Sequence, residues 1–181
     1  MPEAFLGEQV VKGAVHVTCA QNTMDDQEKK QVLRLFTYGL YAVSCADGDE
    51  RNAFTANWLS QVSFDPPLIA LSVDNEAHSQ AIIRRSRRFG VNVLSGDQRE
   101  LAGMLGKSFK QHPEKLQQVN FTTGESGTAV IEEALAWVEC LVESEVPAGD
   151  STLFIGRVVG VKMLREGEPL TMRAAGFRHA G

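Results

Sequence analysis

Between Asn52 and Pro67 the chain sets small and hydroxylated residues, Thr55, Ala56, Ser60 and Ser63, among three large aromatics, Phe54, Trp58 and Phe64. Small side chains let backbone amides approach a ligand closely, and the aromatics supply apolar walls. The segment is too polar for a core strand and too ordered for a linker, so it reads as a cradle for a cofactor. The competing reading is an ordinary hairpin corner, where Ser and Thr are favoured by turn geometry. A double proline, Pro66-Pro67, stops the segment ahead of an apolar run, Leu68–Val73.

Two further places could do chemistry. His78-Ser79 opens an apolar and basic helical stretch, and a helix N-terminus is a ready site for phosphate. Ser79 reads equally as a plain N-cap. Arg84, Arg85, Arg87 and Arg88 follow on the same stretch; only one side of a helix can face a ligand, so most of them belong to a solvated face. The run Gly149-Asp150-Ser151-Thr152-Leu153-Phe154-Ile155-Gly156-Arg157-Val158 starts in a turn and continues as a strand. The histidines, His16, His78, His112 and His179, show no metal-ligand spacing, and no Ser/His/Asp or Cys/His set stands out, so no metal is expected.

The elements that must position these residues follow from periodicity. Val10, Val11, Val15 and Val17 suggest one or two short strands within Leu6–Cys19. Thr23 and Asp26 resemble a capping box ahead of a helix from Met24 to Thr37, with Val32, Leu33, Leu35 and Phe36 on its apolar face. A strand is expected over Leu40–Ala46, turning at Asp47-Gly48-Asp49. Strand Leu68–Val73, helix Ser79–Arg88, strand Phe89–Leu94 and a helix opening at 96–100 come next, then a polar loop over Phe109–Gly127. Two long strands, Ala134–Glu145 and Thr152–Leu164, flank a turn at 146–151. Many strands with few helices argue for a mainly β fold whose sheet is closed or nearly so.

With 181 residues the chain fits one domain, expected over 23–181, with residues 1–22 as an extension. A net charge of -5 and a pI near 5.4 give no general pull toward nucleic acid or an anionic membrane. No apolar run is long enough to span a bilayer. Cys19, Cys45 and Cys140 are odd in number and lack ligand spacing, which points to a reducing, cytoplasmic setting.

Several of these segments, in order from Val32 to Phe177, resemble the flavin reductase family. The family signature T-A-N-x-x-x-S-V-S-x-x-P-P is matched by Thr55-Ala56-Asn57, Gln61-Val62-Ser63 and Pro66-Pro67; its F-A-V-N-V-L-S strand by Phe89–Ser95; its G-D-H-x-x-F-x-G-x-V motif by Gly149–Val158; and its terminal P-L-x-x-x-x-G-x-Y by Pro169–Phe177. The resemblance implies an FMN-binding split barrel, a six-stranded antiparallel Greek-key β-barrel with flanking helices, forming a homodimer. It implies flavin contacts from Phe54, Thr55, Ala56, Asn57, Ser60, Gln61, Val62 and Ser63, and phosphate contacts from His78 and Ser79; Arg84 is added as a cofactor-binding candidate for its positive charge on the same helix. Ser151 stands where the family motif has histidine, so no catalytic side chain is assigned.

The implied activity is that of an NAD(P)H:flavin oxidoreductase holding FMN, with FAD possible. NADH or NADPH would be the donor, and a monooxygenase or other electron-accepting protein a possible partner. An FMN electron-transfer protein similar to flavoredoxin, and a non-catalytic split-barrel module, are the alternatives.

Overall fold

The computed structural model describes residues 24–178. The strands expected within Leu6–Cys19, and Thr23, lie outside them. Along the chain run α1 (Asp26–Leu33), β1 (Tyr41–Asp47), β2 (Glu50–Ala56), β3 (Leu59–Phe64), β4 (Pro67–Asp74), α2 (His78–Ser86), β5 (Arg88–Val93) and α3 (Arg99–Leu105). A 3-10 turn (Lys115–Gln118), β6 (Phe121–Thr123), β7 (Ala129–Ile131), β8 (Ala136–Ala148), β9 (Ser151–Met163) and α4 (Met172–Ala175) complete the order. The fold is mainly β with flanking helices, as the sequence suggested.

The main sheet has seven antiparallel strands in the order β2-β1-β5-β8-β9-β4-β3, one more than the resemblance implies. Its two edge strands, β2 and β3, are consecutive in sequence, with only Asn57 and Trp58 between them. Three residue steps span at most about 11 Å, so the first and last strands of the sheet must meet there. The sheet is therefore curled into a barrel, with the seam at Asn57-Trp58. A bond from Ser72 N to Trp58 O, 3.0 Å, ties the seam to β4.

Inside the barrel Val43, Leu71, Phe89 and Phe154 pack with Ile82 and Ile83 from α2, whose apolar pair plugs one end. A second core lies outside, where Leu94, Leu105, Leu116, Ile131 and Leu170 pack beneath α3 and the 3-10 turn. Phe89 fits because Gly156 on β9 lacks a side chain: a Cβ there would stand 2.6 Å from Phe89 Cζ and 2.9 Å from Cys140 Cβ. Gly156→Ala is expected to lower the unfolding free energy by about 1–3 kcal/mol, the usual range for overpacking. Thermal unfolding followed by circular dichroism checks this; an unchanged midpoint would mean that the ring moves aside freely.

Four expectations are corrected. The cradle, too polar for a core strand, is nonetheless built of strands, Glu50–Ala56 and Leu59–Phe64, because an edge strand keeps one flank away from the sheet and tolerates polar residues there. The first helix is shorter than Met24–Thr37, and Asp25 caps it, accepting from Gln27 N at 2.7 Å and Glu28 N at 3.2 Å. None of its residues is buried; Val32 and Leu33 remain exposed, and Phe36 beyond its end stacks on Tyr38. The turn at 146–151 shrinks to Gly149-Asp150, with Gly149 at φ 67°. Pro147 sits in β8 beyond the last residue paired with β5, where no ladder donor is needed on that side.

Candidate functional site

The strand β2 delivers Asn52, Phe54, Thr55 and Ala56 to a groove between the barrel seam, the start of α2 and the connection after α3. The groove has two lobes. The first, about 540 Å³, is lined by Asn52, Ala77, His78 and Ser79 on one side and by Gly106, Lys107, Ser108, Phe109, Lys110 and Lys115 on the other. The second, about 290 Å³, is lined by Ala56, Asn57, Trp58, Ser72, Asp150 and Ser151. Phe54, Thr55, Asp74 and Ala77 belong to both lobes, so one groove runs along β2.

Chemically the lobes differ. The first combines three lysines with the N-terminus of α2, whose N-cap residue, Ala77, offers no side-chain acceptor. The helix dipole and free amides at that end favour an anion. The second lobe has an aromatic wall, Phe54 and Trp58, and an unpaired strand edge, since β2 is bonded only to β1. Alternate backbone N–H and C=O groups on such an edge are open to a ligand.

Three residues that line this groove carry buried polar atoms without a hydrogen-bond partner. Asn52 is 2% exposed; its Nδ2 donates to Ser79 Oγ at 2.7 Å, while its Oδ1 accepts nothing. Asn57 Nδ2 is likewise buried and unbonded. His78 Nε2 lies 2.9 Å from Glu50 Oε1 but without hydrogen-bond alignment, and its ring stacks on Phe109 at 3.8 Å between centroids and 5° between planes. Buried polar groups are nearly always bonded, so these atoms leave bonding capacity that a ligand or ordered water can fill. Because Ser79 Oγ accepts from Asn52, its O–H is left for the weakly accepting Cys45 sulfur or for a ligand. Thr55 Oγ1, by contrast, donates to Ala102 O at 2.6 Å, which ties β2 to α3 and leaves its backbone, not its hydroxyl, to the groove.

The buried thiols take no part. Burial pushes Cys45 and Cys140 up to about 12, so both stay protonated. Among the described residues no group of His, Cys, Asp and Glu could hold a metal ion.

Of the residues named from sequence, Phe54, Thr55, Ala56, Asn57, His78, Ser79 and Ser151 line the groove. Ser60, Gln61, Val62 and Ser63 do not; they lie on β3, where Ser60, Gln61 and Val62 are exposed. Arg84 is also outside. Five residues beyond Ser79, it stands about 7.5 Å further along the helix axis, and it pairs with Glu145 at 3.3 Å and Thr152 Oγ1 at 3.4 Å. The cations that line the first lobe are Lys110 and Lys115, in the region read as a polar loop, and Lys107 just before it. Alternation along β2 could have found Asn52, which shares a strand face with Phe54; nothing in the local pattern marks Lys115 as buried.

Ser151 Oγ donates to Asp150 Oδ1 at 3.1 Å, so the second lobe has a small hydroxyl where an imidazole would reach much further. The two lobes together suit a flat aromatic system joined to a phosphate through a polyhydroxylated chain: aromatic walls and a strand edge for the ring, Asn52 Oδ1 for a donating hydroxyl, and cations with a helix N-terminus for the phosphate. FMN has this form, and the orphaned groups fit it.

Comparison with known proteins gives the same direction. Residues 33–181 match the family described as flavin reductase like domain. The chain is 32% identical over 152 residues to an NADH-dependent flavin reductase of Rhodococcus sp., covering 82% of this chain and 83% of that protein. It is 31% identical over 143 residues to a high molecular weight rubredoxin of Moorella thermoacetica, covering 78% of this chain but only 62% of the longer protein. Among solved structures, BorF, the flavin reductase component of a bacterial two-component tryptophan halogenase, superposes with a TM-score of 0.75 at 29% identity, covering 85% of this chain and 97% of that one.

Proposed function

Because the chain belongs to the flavin reductase family, we propose that it is an NAD(P)H-dependent flavin oxidoreductase that holds FMN along β2 and passes electrons to a partner protein. The single observation that carries this reading is the two-lobed groove with its unbonded buried atoms, Asn52 Oδ1 and Asn57 Nδ2. Bound there, a flavin ring would supply the redox chemistry, hydride uptake from a reduced nicotinamide and later electron donation.

This chain's own residues bind and orient. The edge of β2 at Thr55 and Ala56, with Asn57 just beyond it, offers main-chain groups to the ring, and Phe54 and Trp58 wall it. The amides at the start of α2, the Ser79 hydroxyl and the lysines of the first lobe hold the phosphate. Alignment of donor and acceptor rings is the main requirement of such a step, with no acid or base in its central event. Ser151 in place of histidine is compatible with that.

The remaining features extend the reading. Phe64 is 91% exposed, Val161 71% and Met163 73%, all on β3 and β9, which supports a homodimer that covers them. In such a dimer Ser60, Gln61, Val62 and Ser63 would complete a site near the subunit interface. The partner class is a monooxygenase or related flavin-consuming enzyme, as for the halogenase system to which BorF belongs. The likeness to a high molecular weight rubredoxin favours a second reading, an FMN electron carrier reduced by another protein.

Anaerobic addition of NADH or NADPH to the FMN-loaded protein separates the two. The expected outcome is loss of the flavin absorption near 450 nm, roughly where oxidised flavins absorb. A flavin that binds but stays yellow with both nucleotides would favour the protein-fed carrier. A protein that takes up neither FMN nor FAD would remove both.

A further inference from the structure

The two walls of the first lobe touch through a pair of rings. Phe109, on the connection after α3, stacks on His78, at the start of α2, with 3.8 Å between centroids and 5° between planes. Both side chains line the lobe and both are half-buried, so the pair bridges the groove at its rim. Each ring is backed. His78 Nε2 lies 2.9 Å from Glu50 Oε1, and Glu50 is paired in turn with Arg85, which also donates to Asp47 Oδ2 at 2.8 Å. On the other wall Lys107 N donates to Met104 O at 3.2 Å and His112 N to Ser108 O at 3.0 Å, so turns fix the backbone on both sides of Phe109.

Position along β2 gives the bridge its meaning. The second lobe reaches Ala56 and Asn57 at the end of the strand, and the first reaches Asn52, whose Nδ2 donates to Ser79 Oγ. Four residue steps, about 13 Å, separate Ala56 from Asn52. Two further steps, about 7 Å, lead to Glu50, the first residue of the strand, whose carboxylate meets His78. From the ring end the groove therefore passes the aromatic walls, then the lysines and the start of α2, and then the stacked pair. The charge changes there as well: beside the stack stand the carboxylates of Glu50 and Asp47, both paired with Arg85.

We propose that the His78–Phe109 stack is the end stop of the groove, admitting a flavin that carries one phosphate and rejecting the adenylate half of FAD. This rests on the flavin reading above and deepens it by naming the flavin. The chain of FAD continues past its first phosphate. Its second phosphate and adenosine would have to part the stack, which exposes two ring faces to water and brings a further anion toward Glu50. FMN ends before that point and leaves the stack closed. Phe109 thus acts on specificity by exclusion, without a bond to the ligand.

The test compares dissociation constants for FMN and FAD, read by titration calorimetry, in the unmodified protein and in Phe109→Ala. Breaking an aromatic pair is worth about two- to tenfold in an equilibrium constant. The expected result is a preference for FMN of at least about fivefold in the unmodified protein, cut at least about threefold in the variant through tighter binding of FAD, with FMN changed less than about twofold. A smaller preference, a smaller cut, or a cut produced by weaker FMN binding would make Phe109 a plain wall of the lobe and overturn the proposal.

Phe109→Leu, which keeps apolar bulk without a ring face, replaces the alanine variant if that one does not fold. If neither folds, amide exchange of the unmodified protein decides: residues 106–110 should exchange more slowly with FMN bound than at saturating FAD, which holds the stack open. Equal protection with the two ligands overturns the end stop. Unmodified protein that binds neither FMN nor FAD would sink the flavin reading itself, and this inference with it.

Discussion

Asn92→Leu is expected to lower the unfolding free energy by about 3 kcal/mol, although the two side chains are similar in size. Asn92 is fully buried on β5, and its Nδ2 donates to Ala42 O and Ala129 O, both at 3.1 Å, while its Oδ1 accepts from Ile131 N at 2.8 Å. One amide therefore joins β1, β5 and the β6–β7 ladder. The three bonds are not equivalent on removal. Ala129 O keeps the Ser44 hydroxyl at 2.8 Å, but Ile131, 1% exposed, donates its N–H to Asn92 Oδ1 and is buried away from water. A buried donor left unsatisfied costs about 1–3 kcal/mol, and the lost bonds add about 1 kcal/mol each.

Against a typical total of 5–15 kcal/mol, the variant should still fold at room temperature, with its thermal midpoint lowered by roughly 6–12 °C for a chain of this size. Urea unfolding measures the free energy, and amide exchange should show residues 121–131 losing protection first. A loss of stability without that local exchange would mean that Asn92 supports the barrel generally and does not pin the β6–β7 ladder.

Asn92 also illustrates what a sequence can carry. Its setting in Phe89–Ser95, a continuous apolar strand with one amide, is legible because a polar residue there has few alternatives to bonding backbone. The barrel strands, the Asp47-Gly48-Asp49 turn and the helix at His78 follow from period and turn chemistry in the same way. The closure of the sheet was legible only as a class. That β2 and β3 are its two edges depends on pairings far apart in sequence, such as Leu68 with Arg157, which no local pattern encodes.

The site divides along the same line. Phe54 to Asn57, His78 and Ser79 lie on regular elements whose direction follows from their neighbours, and they face one groove. Ser60–Ser63 follow Asn57 so closely that they read as its continuation. Yet the chain crosses the seam at Asn57-Trp58 and runs on along the opposite edge of the sheet, which turns them away. Arg84 was assigned by charge, but distance along the helix axis, with Glu145 nearby, decides where that charge goes. The cations of the first lobe come from 107–115, a stretch with no period to read; Lys107 and Lys110 are exposed, and only Lys115, which opens the 3-10 turn beside Leu116 of the second core, is buried.

The largest effect on ligand binding is expected from Asn52→Asp. The exchange keeps the shape and changes two things. It removes the donor to Ser79 Oγ, now 2.7 Å away, so the Ser79 hydroxyl must turn to donate toward the new carboxylate and is lost to the groove. It also sets a buried negative charge, 2% exposed, in the lobe that carries the lysines and the start of α2. Both changes act against an anion. An affinity for FMN lower by about 100-fold corresponds to about 2.8 kcal/mol, which the loss of a charge-assisted contact plus repulsion readily supplies. Riboflavin, lacking the phosphate, should lose clearly less.

The pH dependence has a definite sign. Burial raises the pKa of the new carboxyl while the lysines, the start of α2 and the Ser79 hydroxyl lower it, and the protonated form is neutral in either case. FMN binding to the variant should therefore recover as pH falls through that pKa and the carboxyl becomes neutral. Titrations of FMN and riboflavin between pH 5 and 8, with thermal unfolding of the ligand-free variant as a control on its fold, measure all of this. Equal weakening of both ligands without recovery at low pH would show that Asn52 shapes the groove without meeting the phosphate end. An unchanged affinity for FMN would move the ligand off the first lobe altogether.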